Sequence, residues 1–204
     1  GRAICEHYGI RVFEALTGFK NICGVIPKAE DMGYEYFFGY EESIGSALGE
    51  EVRDKDGICA AMLIMEMAAW CRKNGMTLGD YLQSLYREFG FYAEDQVSFV
   101  LQGIPGAQRI GRIMDAFRNG KPQSFGRFVV KDCIDYLNGY EEIPASNVLI
   151  YHMTDGNWFA MRPSGTEPKI KFYYYAKSMD DEKEAKDAVE DMKEAVGEMV
   201  EKIE

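Results

Sequence analysis

Two strand-like runs, Trp158 to Arg162 and Ile170 to Ala176, flank the segment Arg162-Pro163-Ser164-Gly165-Thr166-Glu167-Pro168-Lys169. Side chains alternate across a strand, so Lys169 and Lys171 share one face of the outgoing run while Ile170 and Phe172 share the other. Two strands joined by so short a connection place it at the end of a sheet. That restricts the second half of the chain to folds in which these residues crowd one end of a sheet.

The segment stands out because the chain around it is acidic. Its 204 residues carry 34 Asp and Glu against 23 Lys and Arg, a net charge of −11. Non-specific attraction to nucleic acid or to an anionic membrane surface is therefore not expected, and an anionic ligand needs a local basic site. The 162–171 run supplies one. Arg162 offers a guanidinium fork, Ser164 and Thr166 hydroxyls, and Lys171 an ammonium. Gly165 lets backbone N–H groups approach an oxyanion, and the two prolines restrict the loop before a ligand arrives. The same residues would also serve as an ordinary polar β-turn with solvated charges.

Around this run the chain reads as two parts. Before Gly90, a helix-like piece ends at Gly9, Ile10 to Glu14 reads as a short strand, and Thr17 to Lys20 turns into a helix ending before Gly33. Tyr34 to Tyr40 reads as a strand leading into the loop Glu41-Glu42-Ser43-Ile44-Gly45. Asp56 caps a helix from Gly57 to Arg72, apolar on most faces and so expected to be covered on several sides. Asn74-Gly75 stops it, and Thr77 caps a second helix running to Gly90.

Beyond Gly90 come strands at Glu94–Leu101, Gly126–Cys133, Asn147–Met153, Trp158–Arg162 and Ile170–Ala176, with a helix from about Gly106 to Phe117. A final helix, which Ser178 could cap, carries Ala185, Val189, Met192, Val196, Met199 and Ile203 as one stripe suited to packing on a sheet. The expected fold is a partial α/β layer over residues 1–92, then an α+β unit over 93–204 in which helices back an antiparallel sheet.

Cys5, Cys23, Cys59, Cys71 and Cys133 are widely spaced, without a C-x-x-C pair and with only two histidines in the chain. They read as reduced, mostly buried thiols rather than metal ligands. No apolar run reaches the roughly 18 residues of a membrane span. A cytoplasmic protein is expected.

In the first part, Glu41 and Ser43 are two apart, so in an extended loop they would point the same way and could grip vicinal hydroxyls of a sugar. A solvated acidic loop is the alternative.

Four stretches, in order, carry a family resemblance. Arg162-Pro163-Ser164-Gly165-Thr166-Glu167-Pro168-Lys169 and the basic-aromatic strand after it closely resemble the phosphate-binding loop in the fourth domain of α-D-phosphohexomutases. Gly39-Tyr40-Glu41-Glu42-Ser43-Ile44-Gly45 is similar to the sugar-binding loop of the phosphoglucomutase-2-like branch. Arg53-Asp54-Lys55-Asp56-Gly57 resembles an R-x-K-D-G run, and Leu16-Thr17-Gly18-Phe19-Lys20 a stretch whose lysine faces the cleft.

The resemblance implies that Arg162, Ser164, Gly165 and Thr166 contact the substrate's non-transferring phosphate, with Lys171 standing where many members have Arg. It assigns Glu41, Ser43 and Lys20 to the sugar and makes Lys55 a catalytic candidate. It also implies the C-terminal part of domain 3 followed by a TBP-like domain 4. The phosphoserine motif and the D-G-D-x-D-R-like Mg²⁺ loop of the family are absent from this sequence. A fragment of a phosphoglucomutase is therefore expected, inactive alone and metal-free, whose full-length parent uses Mg²⁺ and glucose 1,6-bisphosphate. Its partners would be a phosphosugar and the missing N-terminal domains, and copies could pair through exposed apolar surface of the incomplete domain. Mannose and pentose phosphates remain alternative substrates. A non-catalytic sugar-phosphate module, or an interaction domain docking through the acidic last helix, are the readings from other classes.

Overall fold

The computed structural model describes residues 1–49 and 51–203, which divide into two compact units, Gly1–Leu85 and Tyr86–Glu204. The division lies before the 92/93 junction read from sequence, and the first strand of the second unit, Phe91–Val100, pairs along its whole length with residues of that unit.

In the first unit, α1 (Arg2–His7) leads to α2 (Phe19–Gly24) and α3 (Ile26–Asp31). One helix was expected where α2 and α3 stand. Pro27 lies in the first turn of α3, and a proline farther inside a continuous helix would lack its N–H and collide with the preceding turn, so the chain breaks at Val25. Residues 10–14 form no strand. Among the described residues no extended segment pairs with them, and a lone strand leaves its backbone groups to water.

The strands β1 (Phe38–Glu41) and β2 (Gly45–Leu48) form an antiparallel hairpin, with Glu41 opposite Gly45. Phe19, Cys23, Ile26 and Ala47 make a small core against it. The next helix, α4 (Gly57–Lys73), starts where expected, because Asp56 accepts from the N–H groups of Ile58 and Cys59 at 2.9 and 3.0 Å. It is not covered on several sides. It packs beside β2, while Ile58 and Met62 are 77% and 61% exposed and only Cys71 is buried. Apolar residues on every face show that a helix could be buried without supplying the partner that buries it. In α5 (Leu78–Phe89), Thr77 and Asp80 form a reciprocal cap, Asp80 N–H donating to Thr77 Oγ1 at 3.1 Å and Thr77 N–H to Asp80 Oδ2 at 2.9 Å.

The second unit comprises β3 (Phe91–Val100), α6 (Gly103–Gly120), β4 (Ser124–Phe125), β5 (Phe128–Asp135), β6 (Leu149–Met153), β7 (Trp158–Pro163), β8 (Lys169–Ser178) and α7 (Glu182–Glu201). The strands form one antiparallel sheet in the order β3-β8-β7-β6-β5-β4. Along β8 the pattern is regular: Ile170, Phe172, Tyr174 and Ala176 are buried, and the residues between them are half-buried. The buried face meets Ile113, Met114 and Phe117 of α6 and Val189, Met192 and Val196 of α7 in one core. The stripe read on the last helix thus packs on a sheet, as its spacing requires. Its cap is Asp181, which accepts from Lys183 N–H. Ser178 lies farther back, accepting from the N–H groups of Asp180 and Asp181 and so shaping the approach to the helix.

All five cysteines are free; Cys23 and Cys71 are buried, Cys5 and Cys59 partly so, and Cys133 is exposed. Fewer are buried than expected. No helix among the described residues is long and apolar enough to cross a membrane.

Candidate functional site

The antiparallel register of β7 and β8 sets Arg162 directly opposite Lys171, so two cations from the ends of one loop stand side by side. Lys171 Nζ donates to Gln96 Oε1 on β3 at 3.4 Å and lies 5.9 Å from the centre of the Tyr173 ring. The Arg162 guanidinium, half-buried, has no hydrogen-bond or ion-pair partner among the described residues. Two cations side by side, of which Arg162 has no counter-anion among the described residues, favour an external anion. Lys169, on the same face, is instead engaged by Glu167 at 2.5 Å, and that hydrogen bond and charge hold the Glu167 carboxyl below its ordinary range.

Between the strands, Ser164 organises the turn. Its N–H donates to Lys169 C=O at 2.8 Å, and its Oγ accepts from the N–H groups of Thr166 and Glu167 at 3.4 and 3.2 Å. Two of the loop's amides therefore face Ser164 rather than an empty cradle. The Ser164 hydroxyl, used as an acceptor, keeps its proton to donate. Gly165 and Thr166 are exposed, and nothing lies within 4 Å of where a Cβ on Gly165 would sit. The fold itself makes no demand for glycine there.

In the first unit, Glu41 ends β1 with its side chain only 4% exposed. Its carboxylate forms an ion pair with Lys55 Nζ and accepts from Gly18 N–H at 3.0 Å. The neighbouring Glu42 accepts from the Thr17 hydroxyl at 3.0 Å. Three stretches far apart in sequence, Thr17-Gly18, Glu41-Glu42 and Lys55, thus meet at one point. Gly45 is required for this: a Cβ there would lie 2.5 Å from Lys55 Cε and 2.8 Å from the Phe19 ring. Lys55 Nζ itself sits 5.8 Å from the centre of that ring.

Residues 42–44 form a tight turn rather than the extended loop expected. Glu41 and Ser43 consequently do not present a matched pair: Glu41 points inward, while Ser43 is exposed and its hydroxyl donates to Glu42 Oε1 at 3.3 Å. The two-residue repeat of a strand holds only while the backbone stays extended. Lys20 is exposed, has no hydrogen-bond or ion-pair partner among the described residues, and takes no part in the Glu41–Lys55 pair. An open cleft of about 450 Å³ borders the turn, lined by Phe38, Glu41, Ile44, Ser46 and Ile64 among others. Sequence reasoning missed the structural parts of Gly18 and Gly45, since a backbone N–H and an absent side chain carry no chemical signature.

Among the described residues no three His, Cys, Asp or Glu side chains converge as a cation site. The described donors therefore do not fit Mg²⁺.

Residues 2–89 match the family model for the phosphoglucomutase/phosphomannomutase alpha/beta/alpha domain III, and residues 129–193 the model for the phosphoglucomutase/phosphomannomutase C-terminal domain. A probable phosphomannomutase of Haemophilus influenzae is 35% identical over 178 residues, covering 87% of this chain and 34% of that protein. A phosphoglucomutase of Staphylococcus haemolyticus is 35% identical over 184 residues, covering 85% of this chain and 33% of that protein. The chain spans about a third of the length of these relatives. The solved open form of the exocytosis-sensitive phosphoprotein pp63/parafusin, a phosphoglucomutase from Paramecium, superposes with a TM-score of 0.69 over 96% of this chain and 35% of its own. At 20% identity that likeness speaks to the fold. Matched in order by the models of two of its domains, which together span well over half of the sequence, the chain belongs to the phosphoglucomutase/phosphomannomutase family.

Proposed function

We propose that this chain supplies the sugar-binding and phosphate-binding parts of a phosphoglucomutase that interconverts glucose 1-phosphate and glucose 6-phosphate through a phosphoserine enzyme and a bisphosphate intermediate. The observation that carries the reading is the unpartnered Arg162 beside Lys171 at the mouth of the Ser164 turn. A phosphate dianion there would take a forked pair of N–H bonds from Arg162, a point charge from Lys171, and hydroxyl donors from Ser164 and Thr166. Exposed Gly165 leaves room for the oxygens to come close to the backbone.

In the first unit, Glu41 and Ser43 would bind sugar hydroxyls once a ligand draws the Glu41 carboxylate from Lys55 and Gly18. Lys55, released toward the ligand, would then stabilise negative charge on it, and Lys20, two residues along from Gly18, would add a solvent-facing cation. Residues that carry and transfer the phosphoryl group, and those that hold Mg²⁺, would come from the rest of a longer enzyme. The chain alone binds and does not turn over. The protein works in the cytoplasm on this reading, with glucose 1,6-bisphosphate as the intermediate of the complete enzyme.

Mannose phosphate is the second reading, favoured by the equal 35% identity to relatives named for either activity. Titrating the chain with glucose 1-phosphate, mannose 1-phosphate and inorganic phosphate, followed by amide NMR, tests both. Shifts at Gly165 and Thr166 with all three ligands, and at Glu41 and Ser43 with the preferred sugar, are expected. Arg162→Ala should weaken phosphate binding roughly ten- to hundredfold. Unchanged binding by that variant would remove the phosphate assignment, and glucose 1-phosphate turnover above background would remove the binding-only one.

A further inference from the structure

The turn between β1 and β2 contains a conformational cost that no burial among the described residues offsets. Ile44 has φ +56°, in the left-handed region where a β-branched side chain is crowded by its own backbone. A three-residue hairpin loop whose last residue is left-handed ordinarily takes glycine there, and glycine stands one position later, at Gly45. Burial could offset such strain, but Ile44 is 99% exposed. The strained residue also lines the cleft that Glu41 borders, one position from Ser43. Strain of this kind concentrates where a ligand is held.

We propose that Ile44 is a specificity-determining residue that lays its side chain against the C–H face of a pyranose ring. This rests on the sugar-binding reading of the Glu41–Ser43 turn and extends it. A hexose has hydroxyl edges and apolar C–H patches. Polar groups at 41 and 43 address the first, and an exposed branched aliphatic beside them addresses the second. The fixed left-handed backbone holds the side chain outward before the ligand arrives, so little rotamer freedom is lost on binding. Inorganic phosphate, with no ring to cover, makes no use of it.

Three variants separate the contact from the turn's shape. Ile44→Gly and Ile44→Asn both accept a left-handed backbone, so both should raise the melting temperature by a few degrees, while Ile44→Val keeps strain and apolar surface together. Glucose 1-phosphate affinity, read from NMR shifts of the 41–45 amides, should fall roughly tenfold in the Gly and Asn variants and stay within about twofold of wild type in the Val variant. Binding of inorganic phosphate at Gly165 should be the same in all four proteins. Wild-type chain that binds glucose 1-phosphate no better than Ile44→Asn overturns the inference alone. Wild-type chain showing no 41–45 shifts with glucose 1-phosphate overturns the sugar-binding reading, and the inference with it.

Discussion

Gly45 and Gly165 show how the same residue type answers to two different pressures. At Gly45 the chain itself excludes a side chain, because Lys55 and Phe19 occupy the space. At Gly165 the surroundings are open and the φ angle is not left-handed, so the fold would accept alanine. Gly45→Ala should therefore destabilise the first unit by ~1–3 kcal/mol and loosen the Lys55–Glu41 pair, whether or not a ligand is present. Gly165→Ala should leave the urea midpoint unchanged and weaken phosphate binding, since a methyl group would stand where an oxyanion approaches. Equal losses of stability in the two variants would contradict this division. Sequence reasoning assigned Gly165 to an oxyanion but met Gly45 only as part of a loop, because the Lys55 and Phe19 neighbours that exclude a side chain there come from elsewhere in the chain.

At the scale of elements, a helix start whose cause is local is legible in the sequence. Asp56 caps α4 and Thr77 caps α5 because an N-cap needs only a side-chain oxygen and the next three N–H groups. The start of α7 was misplaced, since Ser178 and Asp181 both offer oxygens and only the path of the chain selects between them. That helix is also tied to the sheet edge by Lys193, whose ammonium bonds Asp95 of β3 at 2.5 Å and Glu190 at 2.9 Å. The hydrogen bond from Lys193 holds the Asp95 carboxyl below its ordinary value, and the same bond holds the Lys193 ammonium above its own. With its folded value depressed, Asp95 contributes stability above its unfolded value of about 4, and loses it as pH falls through the folded value. Lys193, with its value raised, contributes fully below about 10.4 and loses that as pH rises through the folded value. Asp95→Asn should cost ~0.5 kcal/mol near neutral pH and nothing once acid has neutralised the carboxyl. Urea unfolding of both proteins at pH 7 and at pH 2 to 3 checks this; a difference that survives in acid would assign the effect to something other than charge.

For the molecule as a whole, the two units differ in how completely they bury what they carry. The second has a single core in which Phe117 and Phe159 are fully buried, their ring centres 6.3 Å apart, with Phe117 also stacked on Phe125. Phe117→Ala should lower its stability by ~3–5 kcal/mol, read from Trp158 fluorescence in a Trp70→Phe background. A midpoint that moves little would mean that the core closes over the lost ring. The first unit has a small core and leaves most of α4 in water. The amino-acid sequence by itself determined the elements that depend on near neighbours: the helix caps, the alternation on β8, the apolar stripe of α7, and the chemistry of the 162–171 loop. It could not determine what depends on segments distant along the chain. Whether 10–14 would find a strand to pair with, whether α4 would be covered, and that Glu41 would turn inward to Lys55 and Gly18 were decided only by the tertiary structure. The physical reason is range: a cap or an alternation is satisfied within a few residues, whereas burial and ion pairing are settled by whichever remote group arrives to share the space.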